Sequence, residues 1–182
     1  MKKIYSIPAI VFILGLSTAC SLTSRTPKLS KEKAMEMVTE TKDLLMGTLM
    51  KKIKENGTEN ALEFCNINAI PLTESVGTKH QTLVKRVSDK NRNPQNWANA
   101  SELLLINQYK SELMAGKELK PTIEKGNLYV PIVTQSTCLK CHGQPNVDIE
   151  NKTADKINRL YPKDKATGYK TNEVRGLFVV KL

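Results

Sequence analysis

The sequence contains few aromatic residues and few cysteines. Phenylalanine, tryptophan and tyrosine make up 5% of the 182 residues, which leaves few rings for the stacking surfaces of nucleic-acid-binding proteins. Four cysteines are too few to hold a chain of this length as a disulfide scaffold. The net charge is +10, but it comes mainly from lysines spread along the chain, so we expect no nucleic-acid partner.

The sequence also lacks an apolar run long enough to cross a bilayer. The apolar run of residues 7–16 follows two lysines and ends in small residues, as in a secretory leader. We predict a leader over residues 1–19, because a cysteine at position 20 resembles the lipid-accepting residue of bacterial lipoproteins. The alternative is an ordinary cleavage that leaves Cys20 as a free thiol. Residues 20–29 would then form a tether, and lipid on Cys20 would anchor the protein to a membrane on the periplasmic side of a bacterial cell envelope.

Helical signals dominate the first part of the remaining chain. A capping serine and helical spacing of apolar residues predict a helix over residues 30–56, which stops at Gly57. A second helix is expected over residues 58–69, and Pro71 should disrupt it. A third helix is expected over residues 99–115. The first of these is long enough to precede the rest of the domain as a separate N-terminal element.

Strand signals dominate the second part. Residues 83–87 read as a strand, residues 122–124 and 128–133 as a hairpin, and residues 176–182 as a further strand. Because helices come first and strands later, we expect an α+β fold with an antiparallel sheet. Residues 30–182 would form this single domain.

One motif in the sequence indicates a specific chemical function. Cys138-Leu139-Lys140-Cys141-His142 has the C-x-x-C-H spacing of covalent haem attachment. Two thiols three residues apart lie on one face of a helical turn, where they can reach the two vinyl groups of one porphyrin, and the histidine can ligate the iron. The motif therefore predicts one covalent haem c. Export agrees with this prediction, because c-type haem is attached outside the cytosol.

Other chemistries could use part of the same motif. A zinc site needs four ligands, which Cys138, Cys141, His142 and Cys65 could supply. A redox dithiol would use two cysteines alone, but it needs a preceding strand and a thioredoxin-like pattern. A haem enzyme of the peroxidase type would need an open iron face with an acid–base residue, for which His80 is the only other histidine.

A second axial ligand has to come from upstream, because no methionine or histidine follows His142. The candidates are Cys65, His80, Met114 and the methionines of the first helix. Cys65 is the one cysteine that neither haem attachment nor lipidation would use, although a buried inert thiol explains it equally well. His142 should donate its other ring proton to a carbonyl or to water.

Further motifs surround the haem motif in a fixed order and together cover residues 30–182. They resemble a family of PAS-like c-type haem domains that was first catalogued as a domain of unknown function. The segments that carry the resemblance are Ala61-Leu62-Glu63-Phe64-Cys65, Arg86-Val87-Ser88, Arg92-Asn93-Pro94, Tyr129-Val130-Pro131-Ile132 and Tyr161-Pro162 with Gly168-Tyr169.

The resemblance implies a haem on a PAS-like sheet, with its iron ligated by His142 and Cys65. The implied role is redox sensing or electron transfer rather than catalysis, and a thiolate ligand should keep the reduction potential low. Arg86 and Arg92 could pair with the haem propionates or could simply hold loops. The redox or signalling partner would be a separate chain, and the first helix could pair with a copy of itself.

Overall fold

The computed structural model describes residues 28–182. The predicted leader, the predicted lipidation site Cys20 and the tether up to residue 27 lie outside the described residues. Leu29, at the end of the predicted tether, packs against the hydrophobic core. Within the described part of the chain, no helix is both long and apolar enough to cross a membrane.

The first helix, α1, runs from Lys31 to Lys79 and is broken in the middle. Ser30 caps its start, because its side chain accepts a hydrogen bond from the backbone N–H of Lys33 at 3.2 Å. Gly57 interrupts it with φ of 76° and ψ of 177°, a conformation that residues with a Cβ rarely adopt. The predicted stop at Gly57 is therefore present as a break between two helical halves.

The expected disruption at Pro71 is wrong, because the second half of α1 continues through this proline to Lys79. A proline inside a helix removes one backbone hydrogen bond and normally kinks or ends it. Here the turns after it are held by packing. Val76 belongs to a buried cluster with strand residues, and Thr73 and Gly77 are also buried. Tertiary burial thus outweighs the local cost of the proline.

The next helix, α2, spans Ala100–Met114 and confirms the prediction for this segment. It starts with a capping box, in which Asn99 accepts from the backbone N–H of Glu102 while the Glu102 carboxylate accepts from the backbone N–H of Asn99. The Glu102 side chain is 2% exposed and pairs with Lys85 at 2.7 Å, so its buried charge is compensated.

Four strands form one antiparallel sheet in the order β1-β4-β3-β2. Their bounds are Val84–Val87 for β1, Thr122–Glu124 for β2, Asn127–Val133 for β3 and Val174–Lys181 for β4. The helices and this sheet confirm the α+β fold class and the predicted hairpin. The last strand lies inside the sheet, where it pairs with β1 on one side and β3 on the other.

Both faces of the sheet are covered, which explains the apolar run over residues 177–180 of β4. Leu177 and Val179 face a cluster with α2, whereas Phe178 and Val180 face a cluster with α1. Alternate side chains of a strand point to opposite faces, so each face of β4 enters a different hydrophobic core.

Two short helices complete the fold. The C-x-x-C-H motif ends in a one-turn helix, α3, at Leu139–His142. Helix α4 at Asn151–Leu160 was not expected from the sequence, and it packs on α1 through the buried residues Leu62, Ile149 and Ile157. An ion pair between Lys156 and Glu63 also joins α4 to α1.

Candidate functional site

One cavity lies between α1, the sheet and the C-x-x-C-H motif. Both halves of α1 border it, because the break at Gly57 lets the chain turn around it. It encloses about 260 Å³, several times the roughly 30 Å³ that one water molecule occupies. The wall is largely apolar and includes Leu45, Met46, Leu49, Ile53, Leu62, Ile70, Val87, Ile132 and Val133. Its size and lining suit an organic group.

The two thiols and the imidazole of the motif all line this cavity. Backbone hydrogen bonds tie the motif to the segment before β4: Tyr169 N–H donates to the His142 carbonyl at 2.9 Å, and Gly168 N–H donates to the Gly143 carbonyl at 2.8 Å. Gly143 leaves no room for a side chain, since a Cβ there would lie 2.4 Å from the Cβ of Asp148. The motif is therefore held in one position by its surroundings.

The structure contains the predicted hydrogen bond from the second ring nitrogen of His142. Its Nδ1 lies 2.7 Å from the carbonyl oxygen of Ala166, and because a carbonyl only accepts, Nδ1 carries the proton. Nε2 is then the unprotonated nitrogen and can act as a metal ligand. Burial, with the nearby charges of Arg175 and Arg92, holds the pKa of His142 well below its usual value and favours this neutral form.

Cys65 lines the same cavity from the second half of α1. Burial raises the pKa of the Cys65 thiol, and the charges of Arg86 and Arg92 oppose this rise. Burial also raises the pKa of Cys141 to about 11. The structure thus places the cysteine singled out in the sequence together with the motif, although about seventy residues separate them along the chain.

The other upstream ligand candidates are distributed unequally. Met46 of the first helix lines the cavity, whereas His80 and Met114 are not among its lining residues. His80 closes the end of α1 and its Nε2 lies 2.8 Å from Glu40, while Met114 is 86% exposed. The acid–base residue that a peroxidase would need is therefore not supplied by His80 in this arrangement.

Arg86 and Arg92 both line the cavity, and both also hold protein groups. Arg86 donates to the hydroxyl of Thr73 and to the carbonyl of Ala69, each at 3.2 Å. Burial lowers the pKa of Arg86 to about 10. Arg92 donates to the two carboxylate oxygens of Asp164 at 3.2 and 3.1 Å, and to the carbonyl of Cys141 at 2.6 Å.

A third arginine at the cavity, Arg175 of β4, was not predicted. Its Nη1 donates to the hydroxyl of Ser88 at 2.7 Å, and its Cζ lies 5.2 Å from the ring centre of Tyr169. Arg175 lies one residue before the strand predicted over residues 176–182, so no sequence signal pointed to it, whereas the observed strand Val174–Lys181 includes it.

The zinc alternative lacks its geometry. Among residues 28–182, no three histidine, cysteine, aspartate or glutamate side chains come close enough together to hold a metal ion. The residues present fit a haem better, because a c-type haem needs two thiols and a neutral imidazole at the edge of an apolar slot. The two propionate carboxylates of such a haem would find three arginines along the wall of this cavity.

Fold and site together define an α+β domain in which a C-x-x-C-H motif shares one cavity with the ends of strands β1, β3 and β4 of an antiparallel sheet. The chain belongs to the Tll0287-like family, whose model matches residues 28–182. It is similar to the crystal structure of the cyanobacterial heme-protein Tll0287, with a TM-score of 0.64 and 20% sequence identity. That similarity covers 85% of this chain and 96% of the other. No curated protein matches the chain.

Proposed function

We propose that this protein is an exported, lipid-anchored cytochrome with one covalent haem c, and that it acts as a redox sensor or electron-transfer module. The observation that carries the proposal is the convergence of Cys138, Cys141, His142 and Cys65 on one apolar cavity. A solved structure with the same fold is named a heme-protein, which supports the assignment of haem. We also infer that the sheet and its helices form a PAS-like domain.

Each cavity residue has a distinct role in this proposal. The thiols of Cys138 and Cys141 would attach the porphyrin, and His142 Nε2 and the Cys65 thiolate would ligate its iron. Ala166 holds the His142 ring through its Nδ1 proton. The bound haem supplies reversible one-electron chemistry at the iron.

The charges around Cys65 suit a thiolate ligand. Burial raises the pKa of the Cys65 thiol, but the positive charge of Arg86, which donates to Ala69 one turn beyond Cys65 on α1, opposes this rise and favours the ionised thiol. With Cys65 and His142 on the iron, no coordination position would remain open for a substrate. This is why we propose a non-catalytic role and not a peroxidase.

The cellular part of the proposal depends on the leader alone. Lipid on Cys20 would anchor the domain to a membrane of the cell envelope, facing the periplasm, and the redox or signalling partner would be a separate chain. Replacing Cys20 by serine should release the protein from the membrane fraction. A Cys20→Ser protein that stays in that fraction would overturn the lipid anchor while leaving the haem assignment intact.

The decisive experiment for haem is production in a bacterial host with c-type maturation machinery. We expect the intact mass to include one haem, and a pyridine haemochrome spectrum of the type given by two thioether bonds. The double variant Cys138→Ser with Cys141→Ser should lose the covalent haem, whereas the control Cys65→Ala should keep it, because Cys65 is not an attachment site. A wild-type mass without haem would refute the proposal.

A further inference from the structure

The charges at the cavity are unbalanced. Three arginines line it, at positions 86, 92 and 175, and no carboxylate of the described chain lines it. The positive charge of Arg92 is compensated by its ion pair with Asp164. Arg86 and Arg175 form no ion pair with any carboxylate of residues 28–182. Burying a cation without an anionic partner costs free energy, because the cation loses its hydration. An anionic ligand in the cavity would offset this cost.

Arg175 lines the cavity and has no carboxylate partner among the described residues. Its Nε is shielded from solvent and has no hydrogen-bond partner. The rest of the guanidinium is fixed in place: Nη1 donates to Ser88, and the Ser88 hydroxyl in turn donates to the carbonyl of Arg175 at 2.8 Å. The ring of Tyr169 lies against the same group. A fixed guanidinium with a free N–H is suited to bind a carboxylate.

The other two arginines are engaged elsewhere. Arg92 uses Nε and Nη2 on Asp164 and on the Cys141 carbonyl, so its charge and these donors are taken. Arg86 donates to Thr73 and to the carbonyl of Ala69, one turn beyond Cys65 on α1. A ligand carboxylate that enters the cavity therefore finds its best unoccupied partner at Arg175.

We propose that the guanidinium of Arg175 binds a propionate carboxylate of the haem, and that Ser88 and Tyr169 hold the guanidinium for this contact. The inference depends on the proposed haem and assigns one of its binding residues. The three arginines then have different roles, since Arg175 pairs with the cofactor, Arg92 fastens the loop behind the motif, and Arg86 faces the axial thiol.

The test compares Arg175→Gln and Arg175→Lys with wild type, all made with haem maturation and all checked for covalent haem by mass. Resonance Raman propionate bending bands and the midpoint potential are measured. In Arg175→Gln we expect shifted bands and a lower potential, because loss of a nearby positive charge favours ferric iron. Arg175→Lys should keep the midpoint potential close to that of wild type, because it retains the positive charge. It should still shift the propionate bands, because lysine lacks the planar guanidinium.

The exposed Arg159 on α4 provides the control, and Arg159→Gln should change neither readout. If Arg175→Gln does not fold, the bands of Arg175→Lys decide the matter alone. Full haem loading with wild-type bands in the Arg175 variants would overturn the role of Arg175 and leave the haem proposal standing. A wild-type protein without haem would instead refute the proposed function itself.

Discussion

Arg92 and Asp164 form a bidentate ion pair beside the C-x-x-C-H motif, and their side chains are only 10% and 7% exposed. Removing one partner of a buried pair leaves the other charge uncompensated, which costs about 3–5 kcal/mol in typical cases. We therefore expect Asp164→Ala to lower the free energy of unfolding by about 3 kcal/mol. Urea denaturation of the haem-loaded protein would measure this loss.

An exposed ion pair provides the matched control for Asp164. Lys33 and Glu36 also approach closely, but their side chains are 49% and 65% exposed, so water screens them. Glu36→Ala should therefore change stability by less than about 1 kcal/mol. Equal effects of Asp164→Ala and Glu36→Ala would show that the Arg92–Asp164 pair contributes no more than a surface contact.

Buried tyrosines should make the protein sensitive to alkali. Burial raises the pKa of Tyr109, whose hydroxyl donates to the Lys120 carbonyl at 2.9 Å. The folded state thus keeps its proton where the unfolded chain loses it, so stability is complete below the ordinary pKa of about 10 and falls as the pH rises above it. Urea midpoints across this range should drop, and less steeply in Tyr109→Phe. If the urea midpoints of wild type and Tyr109→Phe fall equally with pH, Tyr109 does not contribute to the sensitivity to alkali.

Two glycines should respond in opposite ways to alanine. At Gly143 a Cβ would clash with Asp148 at 2.4 Å, so Gly143→Ala should displace the motif and cost about 1–3 kcal/mol. At Gly47, inside α1, a Cβ meets nothing within 4 Å, and Gly47→Ala should stabilise by about 0.5–1 kcal/mol. Thermal melts would compare them. An unchanged melting temperature in Gly143→Ala would mean that Asp148 can move aside freely.

Local signals in the sequence were sufficient where the local chain decides the structure. Gly57 marks the break in α1, because only a residue without a Cβ adopts its backbone angles easily. Asn99 and Glu102 mark the start of α2 through their capping box. The same local reasoning was wrong at Pro71, where burial of the following turns against the sheet keeps the helix intact.

Long-range packing accounts for what the sequence did not reveal. Helix α4 is the exception, because Ala154, Ile157 and Leu160 recur at helical spacing and made it predictable from the local pattern. The motif residues were predictable because their spacing is local. Arg175 reaches them only through the pairing of β4 with β1, which brings it next to Ser88. No local pattern pointed to it, because it lies just before the strand predicted over residues 176–182.

The proposed ligand role of Cys65 makes the sharpest spectroscopic prediction. A thiolate stabilises ferric over ferrous iron, so Cys65→Ala should move the ferric Soret band and raise the midpoint potential while the covalent haem is retained. The control is Ile67→Ala, two residues further along α1, because Ile67 is 71% exposed and should affect neither quantity. If Cys65→Ala leaves both the band and the potential unchanged, another cavity residue occupies that axial position. Met46, which also lines the cavity, would be the next to replace.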